Sequence, residues 1–192
     1  MVSLYLYCYA SCLFPMNCCN LLVWNVRGLN SVARRAAIRA IVKHNAVSMI
    51  CLQETKMSTF DSSLVSEICG PRFTGFAFSP SESASGGLLV AWTDDLSVSS
   101  TQCSKSFISA KCTNVATGVS WHLINVYGPQ AHVDKIAFLA ELQLMCLNSA
   151  DALVILGDFY LIASAADKNN SNIRRGLLNA FRNFINVLEL KD

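Results

Sequence analysis

Residues 152–164 read ALVILGDFYLIAS. Five apolar residues lead into Gly157 and Asp158, and the apolar text then resumes with Phe159 and Tyr160. Such a run bounded by a turn residue reads as a buried strand. A carboxylate at its end is costly to bury without a purpose, and in layered α/β folds the ends of strands are where ligands gather. Three other stretches repeat the pattern: Trp24-Asn25, Leu52-Gln53-Glu54, and Asn125-Val126-Tyr127-Gly128-Pro129 each close an apolar run with polar groups.

Working outward, residues 21–24 form a strand that runs into the turn Arg27-Gly28-Leu29-Asn30, with Ser31 as a cap for a helix over 32–44. A second buried strand over 46–52 ends in Gln53-Glu54-Thr55-Lys56, and 61–69 reads as a short helix. Strand, helix, strand in this order implies a layered α/β architecture. Between 73 and 92 two strand-like runs flank a Ser/Gly-rich loop at 79–87. Strands over 97–103, 107–112 and 119–126 follow, with a turn at 114–118, so the middle section is antiparallel and the sheets are mixed. A helix over 133–147 carries Phe138, Leu139, Leu142, Met145 and Cys146 on one face, and an amphipathic helix near the end carries Leu177, Leu178, Phe181, Phe184, Ile185 and Leu188.

The 192 residues suit a single core, and a chain of this size buries about 70% of its unfolded surface. With 53% hydrophobic and 15% charged residues, wholesale disorder is excluded. A net charge of +2 neither demands nor opposes a nucleic-acid partner. The nine cysteines are odd in number, lack a CxxC pair and sit partly in apolar runs, which favours reduced thiols inside a cell and argues against zinc. Residues 1–19 are apolar and aromatic but lack a basic start and fall short of a membrane span, so neither signal peptide nor membrane anchor is expected. Alternation at Leu4–Tyr7 suits a strand, yet Pro15 and the Cys18-Cys19 pair mark this stretch as an extension outside a domain over 20–192.

Two carboxylates, an amide and a phenol at strand ends supply hard oxygen ligands for Mg²⁺ and acceptors to orient a water, the requirements of metal-assisted phosphodiester hydrolysis. Taken singly, each is as readily explained locally: Asn25 and Asp158 bonding their own turns, Tyr127 as a half-buried aromatic. Their recurrence at four strand ends favours the chemical reading.

The segments LLVWNVRGLN, ICLQETK, LINVYGP and VILGDF, in this order and spacing, resemble the endonuclease domain of plant LINE-type (non-LTR) retrotransposons. That domain belongs to the exonuclease-endonuclease-phosphatase superfamily, which includes apurinic/apyrimidinic endonucleases and is similar to DNase I. The resemblance implies an α/β four-layered sandwich of two mixed β-sheets flanked by helices, with a Mg²⁺-dependent site at their shared edge and Mn²⁺ as the alternative ion. It implies that Glu54 holds the metal, Asn25 positions metal and phosphate, Tyr127 contacts the phosphate, and Asp158 activates the attacking water. The implied partners are DNA and the reverse transcriptase domain of a full element, which would extend the 3′-hydroxyl, and the implied location is the nucleus.

Two departures qualify that expectation. The family motif is Gly-Asp-Phe-Asn, and Tyr160 stands where its asparagine belongs; a phenol does not offer a carbonyl and an NH₂ together. The closing Ser-Asp-His motif has no counterpart, since His44, His122 and His132 are the only histidines and none follows Ser-Asp. The domain is therefore expected to lack its C-terminal strands, to expose a strand edge and to be catalytically weak. An inactive fragment with at most weak nucleic-acid binding is one alternative, and a phosphatase of the same superfamily acting on inositol lipids or small esters is another. Arg35, Arg39 and Lys43 recur every four residues and, with Arg27, Arg34, Arg174 and Arg175, suit phosphate contacts, although a solvated helix face has the same spacing.

Overall fold

The computed structural model describes residues 5–9, 19–82, 85–164 and 174–191. The chain runs β1 (Tyr5–Tyr9), β2 (Leu21–Asn25), α1 (Val32–His44), β3 (Met49–Gln53), α2 (Ser62–Cys69), β4 (Phe73–Glu82), β5 (Ser85–Thr93), β6 (Leu96–Cys103), β7 (Phe107–Asn114), β8 (Ser120–Tyr127), α3 (Lys135–Leu147), β9 (Ala152–Asp158) and α4 (Arg175–Val187). One sheet has the order β1-β9-β8-β7-β6 and the other β2-β3-β5-β4. Each is mixed: β8 and β9 are parallel, as are β2 and β3, and the remaining pairs are antiparallel.

Side-chain alternation along central strands divides the apolar residues between faces. In β3, Ile50 and Leu52 pack outward against Ile38 and Val42 of α1 and Val65 and Ile68 of α2. Met49 and Cys51 point inward and meet Ala110, Cys112, Leu123 and Val154 of the facing sheet. On the far side, Ile124 and Ile155 pack against Phe138 and Leu142 of α3 and Phe181 and Phe184 of α4. Three apolar interfaces separate four layers, so the α/β sandwich with two mixed sheets and outer helices is the observed fold. β3 is buried along its full length because it lies between two strands and between two layers.

Some boundaries differ from the sequence reading. The Ser/Gly-rich stretch 79–87 is mostly paired: β4 and β5 continue through Ser81↔Gly86 and Glu82↔Ser85, because ladder bonds override weak strand propensity. Ser31 occupies the N-cap of α1 without a side-chain cap bond, whereas Asp61 caps α2 by accepting from the Leu64 amide at 2.8 Å. Residues 5–9 pair antiparallel with β9 along its whole register, so β9 is not a sheet edge. The edges are β1 and β6 in one sheet and β2 and β4 in the other. Residues 10–18, with Pro15 and Cys18, lie outside the described part.

Cys51, Cys69, Cys103, Cys112 and Cys146 are free thiols, and burial pushes Cys69, Cys112 and Cys146 up to about 12. No helix among the described residues is long and apolar enough to cross a membrane.

Candidate active site

The parallel pairs β2/β3 and β8/β9 bring four strand ends to one rim: Asn25 lies beside Gln53, and Tyr127 beside Asp158. Gly157 makes the second junction feasible. Its φ is +122°, and a Cβ there would come within 2.1 Å of the Val126 carbonyl oxygen.

Asp158 is held from both sheets. Its Oδ2 accepts from Asn25 Nδ2 at 3.0 Å, and its Oδ1 accepts from the Tyr160 backbone N–H at 3.0 Å. Asn25 is fixed in turn, since its Oδ1 accepts from the Arg27 N–H at 3.3 Å. Glu54 follows β3 directly, with its side chain 15% exposed and Oε1 at 3.2 Å from Lys56 Nζ. The loop that bears it is tied down by Gly28 N–H to the Glu54 carbonyl and Leu29 N–H to the Thr55 carbonyl.

Tyr127 is buried, and its hydroxyl meets that of Tyr160 at 3.3 Å and the Gln130 amide at 3.5 Å. The two rings cross edge to face at 5.5 Å. Burial, then the Tyr160 hydroxyl, then the charge of Glu54 raise the Tyr127 phenol above its ordinary range, while Gln130 opposes them. Glu54, Tyr127, Asp158, Asn25 and Tyr160 are thus brought to one region.

Backbone strain concentrates at the same rim. Among the described residues seven non-glycine residues have positive φ, and four of them, Arg27, Glu54, Lys56 and Tyr160, lie on these strand-end loops. Left-handed backbone outside glycine persists only where surrounding structure enforces it, and it clusters at functional sites.

Two groups of residues that the sequence reading passed over support the site. Gln53 Nε2 donates to Asn125 Oδ1 at 2.5 Å across the buried interface between the sheets, and Asn125 Nδ2 reaches the Leu52 and Leu89 carbonyls at 3.4 Å. Each precedes a site residue in its motif, which is the only signal the sequence offered. Lys135 is the other: it is 3% exposed, its Nζ donates to the Tyr160 carbonyl, and it lies 5.8 Å from the centre of the Tyr160 ring. Burial lowers its pKa and the Asp158 charge opposes that shift.

The arginines separate. Arg27 is exposed beside Asn25. Arg35 bonds Glu67 at 2.7 Å and the Leu29 carbonyl at 2.9 Å, and Arg39 bonds the Ser66 and Glu67 carbonyls. Both of the latter guanidinium groups therefore join α1 to α2.

No cluster of three or more His, Cys, Asp or Glu is present among the described residues. Glu54, Asp158 and the Asn25 amide form an all-oxygen donor set, and Mg²⁺ is commonly bound by one or two carboxylates while keeping several waters, so these residues fit a hard divalent ion.

A layered α/β sandwich of two mixed sheets flanked by helices is the DNase I-like class of fold. The chain belongs to the Endonuclease/Exonuclease/phosphatase family, whose model matches residues 22–189; members of that family are generally dependent on a divalent metal. The fold is similar to an AP endonuclease from Archaeoglobus fulgidus (TM-score 0.64, 19% identity, 88% of this chain and 69% of that one). It is also similar to the AP endonuclease LMAP from Leishmania major (0.63, 15%, 86% and 65%). A third likeness is to a 3′ phosphatase from Neisseria bound to a product DNA hairpin (0.60, 18%, 88% and 71%). The chain spans 65% of the Leishmania structure's length. No curated protein matches it.

Proposed function

We propose that this chain is a retroelement-derived, Mg²⁺-dependent DNA endonuclease domain, impaired by Tyr160. The observation that carries the reading is the double hold on Asp158, by Asn25 from one sheet and by the Tyr160 N–H, beside a Tyr127 whose phenol feels the charge of Glu54. Structural neighbours named as AP endonucleases, and one holding a DNA hairpin, support DNA as the substrate.

In this reading Asp158 accepts the proton of the attacking water, and its locked rotamer fixes the line of attack on phosphorus. The Asn25 amide and the Tyr127 hydroxyl bind phosphate oxygens. The water oxygen bonds phosphorus as the P–O3′ bond breaks, and the leaving oxygen takes a proton from solvent to become a 3′-hydroxyl, the end that a reverse transcriptase domain of the full element extends in the nucleus. Glu54, with Asn25, would hold Mg²⁺, which supplies charge neutralisation at the phosphate.

Impairment follows from Tyr160. Its phenol stands where the family motif has an asparagine amide and packs edge to face on Tyr127, and removal of one preorganised donor costs about 10²–10³ in rate.

A supercoiled-plasmid nicking assay tests the reading, with Mg²⁺, with Mn²⁺, with EDTA and with Glu54→Ala. Slow metal-dependent nicking lost in Glu54→Ala is the expected result. Folded protein that never nicks would leave the alternative of an inactive relative.

A further inference from the structure

A cavity of about 180 Å³ opens beside Tyr160 and is walled by His132, Lys135 and Arg174 together with Leu161, Leu177 and Tyr160. Three basic side chains share this wall, and among the described residues no carboxylate lines it. Lys135 is 3% exposed, an expensive position for an ammonium, and among the described residues the Tyr160 carbonyl is the one hydrogen-bond acceptor for its three N–H donors.

The helix behind the cavity is built against its own dipole. α4 starts at Arg174-Arg175, has no acidic residue in its first turn and no side-chain cap bond. A helix N-terminus favours an anion, so two arginines there are unfavourable unless negative charge joins them. Among the described residues, a Cβ on Gly176 would meet nothing within 4 Å.

We infer that this cavity is a second phosphate subsite, which takes a backbone phosphate of a single nucleic-acid strand adjacent to the one at Asp158. The α4 N-terminus, Arg174 and Lys135 supply charge, and Leu161 and Leu177 meet the sugar carbons. At roughly 30 Å³ per water, the space equals about six waters, enough for a phosphate with part of its sugar. Contacts of this type set the register of a strand without reading its sequence. The identity of the ligand rests on the endonuclease reading; the existence of an anion site does not.

The test is fluorescence anisotropy with a short labelled single-stranded DNA in EDTA, across a salt titration, for the unmodified chain, Arg174→Glu, Lys135→Met and the distant control Arg72→Glu. Arg174 is exposed, so its variant reports even where Lys135→Met fails to fold. Arg174→Glu should weaken binding tenfold or more and reduce the log-log salt slope by about 0.7 for the lost phosphate contact, whereas Arg72→Glu should change neither by as much. Unchanged affinity and slope in Arg174→Glu, or an equal loss in Arg72→Glu, overturns the inference.

Inorganic phosphate is the second probe. Phosphate-induced shifts of the Gly176 and Leu177 amide resonances that the oligonucleotide displaces support the strand ligand; shifts that it does not displace overturn it. A chain that binds DNA through Arg174 yet never nicks would sink the catalytic reading and leave this one standing. A chain that nicks while Arg174→Glu binds normally would do the reverse.

Discussion

The Tyr160 hydroxyl lies 3.3 Å from the Tyr127 hydroxyl, and the backbone N–H of the same Tyr160 lies 3.0 Å from Asp158 Oδ1. One residue therefore holds the acid in place with its backbone and covers a neighbouring phenol with its side chain. Its φ of +50° is a conformation that asparagine tolerates far better than tyrosine. Tyr160→Asn should keep the N–H to Asp158, relieve strain and uncover Tyr127. Nicking should rise toward the 10²–10³ that one preorganised donor is worth, and the urea midpoint should not fall. A drop in both would contradict this account.

Tyr160→Phe isolates the hydroxyl. After burial, the Tyr160 hydrogen bond is the next cause raising the Tyr127 phenol. Ultraviolet titration of the variant should show Tyr127 ionising at lower pH than in the unmodified chain. No movement would mean that burial alone sets it.

The bridge between Gln53 and Asn125 should matter for stability more than for chemistry. Asn125→Leu strands the Gln53 amide in an apolar interface and should cost about 1–3 kcal/mol in urea denaturation. Adding Gln53→Leu should recover part of that loss, since replacing both partners removes the orphaned group. A double variant as unstable as the sum of the singles would argue against the bridge.

Alkaline pH should unfold the protein early. The buried thiols of Cys69, Cys112 and Cys146 are pushed up to about 12, while in the unfolded chain they ionise near about 8.5. Between those values the native state holds more protons, so stability is full below the lower value and falls as pH rises toward the upper one. The slope is about 1.4 kcal/mol per unit for each thiol. Urea midpoints at rising alkaline pH check this, and Cys146→Ala should flatten the fall.

Edge exposure can be measured by sedimentation velocity. β2 is a sheet edge with Leu21, Leu22 and Trp24 only partly buried, and an uncovered apolar edge strand invites association. Self-association that rises with concentration is expected, and Leu22→Lys should suppress it. A stable monomer at all concentrations would count against it.

The layered architecture was legible because local rules and packing agree. Apolar runs at 21–24 and 152–156 form strands, and the stripe through Phe138 and Leu142 faces the sheet as its spacing requires. Asn25, Glu54, Tyr127 and Asp158 were legible as strand-end polar groups for the same reason, since alternation breaks where a strand meets solvent. Less was readable where distant partners decide. Ser79–Glu82 looked like loop but is strand, because β5 supplies its ladder. The spacing of Arg35 and Arg39 suited either phosphate contacts or a solvated face, and only the helix pair shows that α2 offers them Glu67 and carbonyl acceptors.

By itself, then, the sequence determined most of the strands and helices, though not the strand over Ser79–Glu82, and that carboxylates would stand at strand ends, because these follow from periodicity over a few residues. Only the tertiary structure decided that Asn25 would grip Asp158 across 133 residues of chain, that Gln53 would find Asn125, that Lys135 would be buried against Tyr160, and that β1 would lie along β9. Those relations depend on how two sheets stack and which edges meet. Stacking is set by burial of whole apolar faces, a property of the assembled layers rather than of any short stretch of chain.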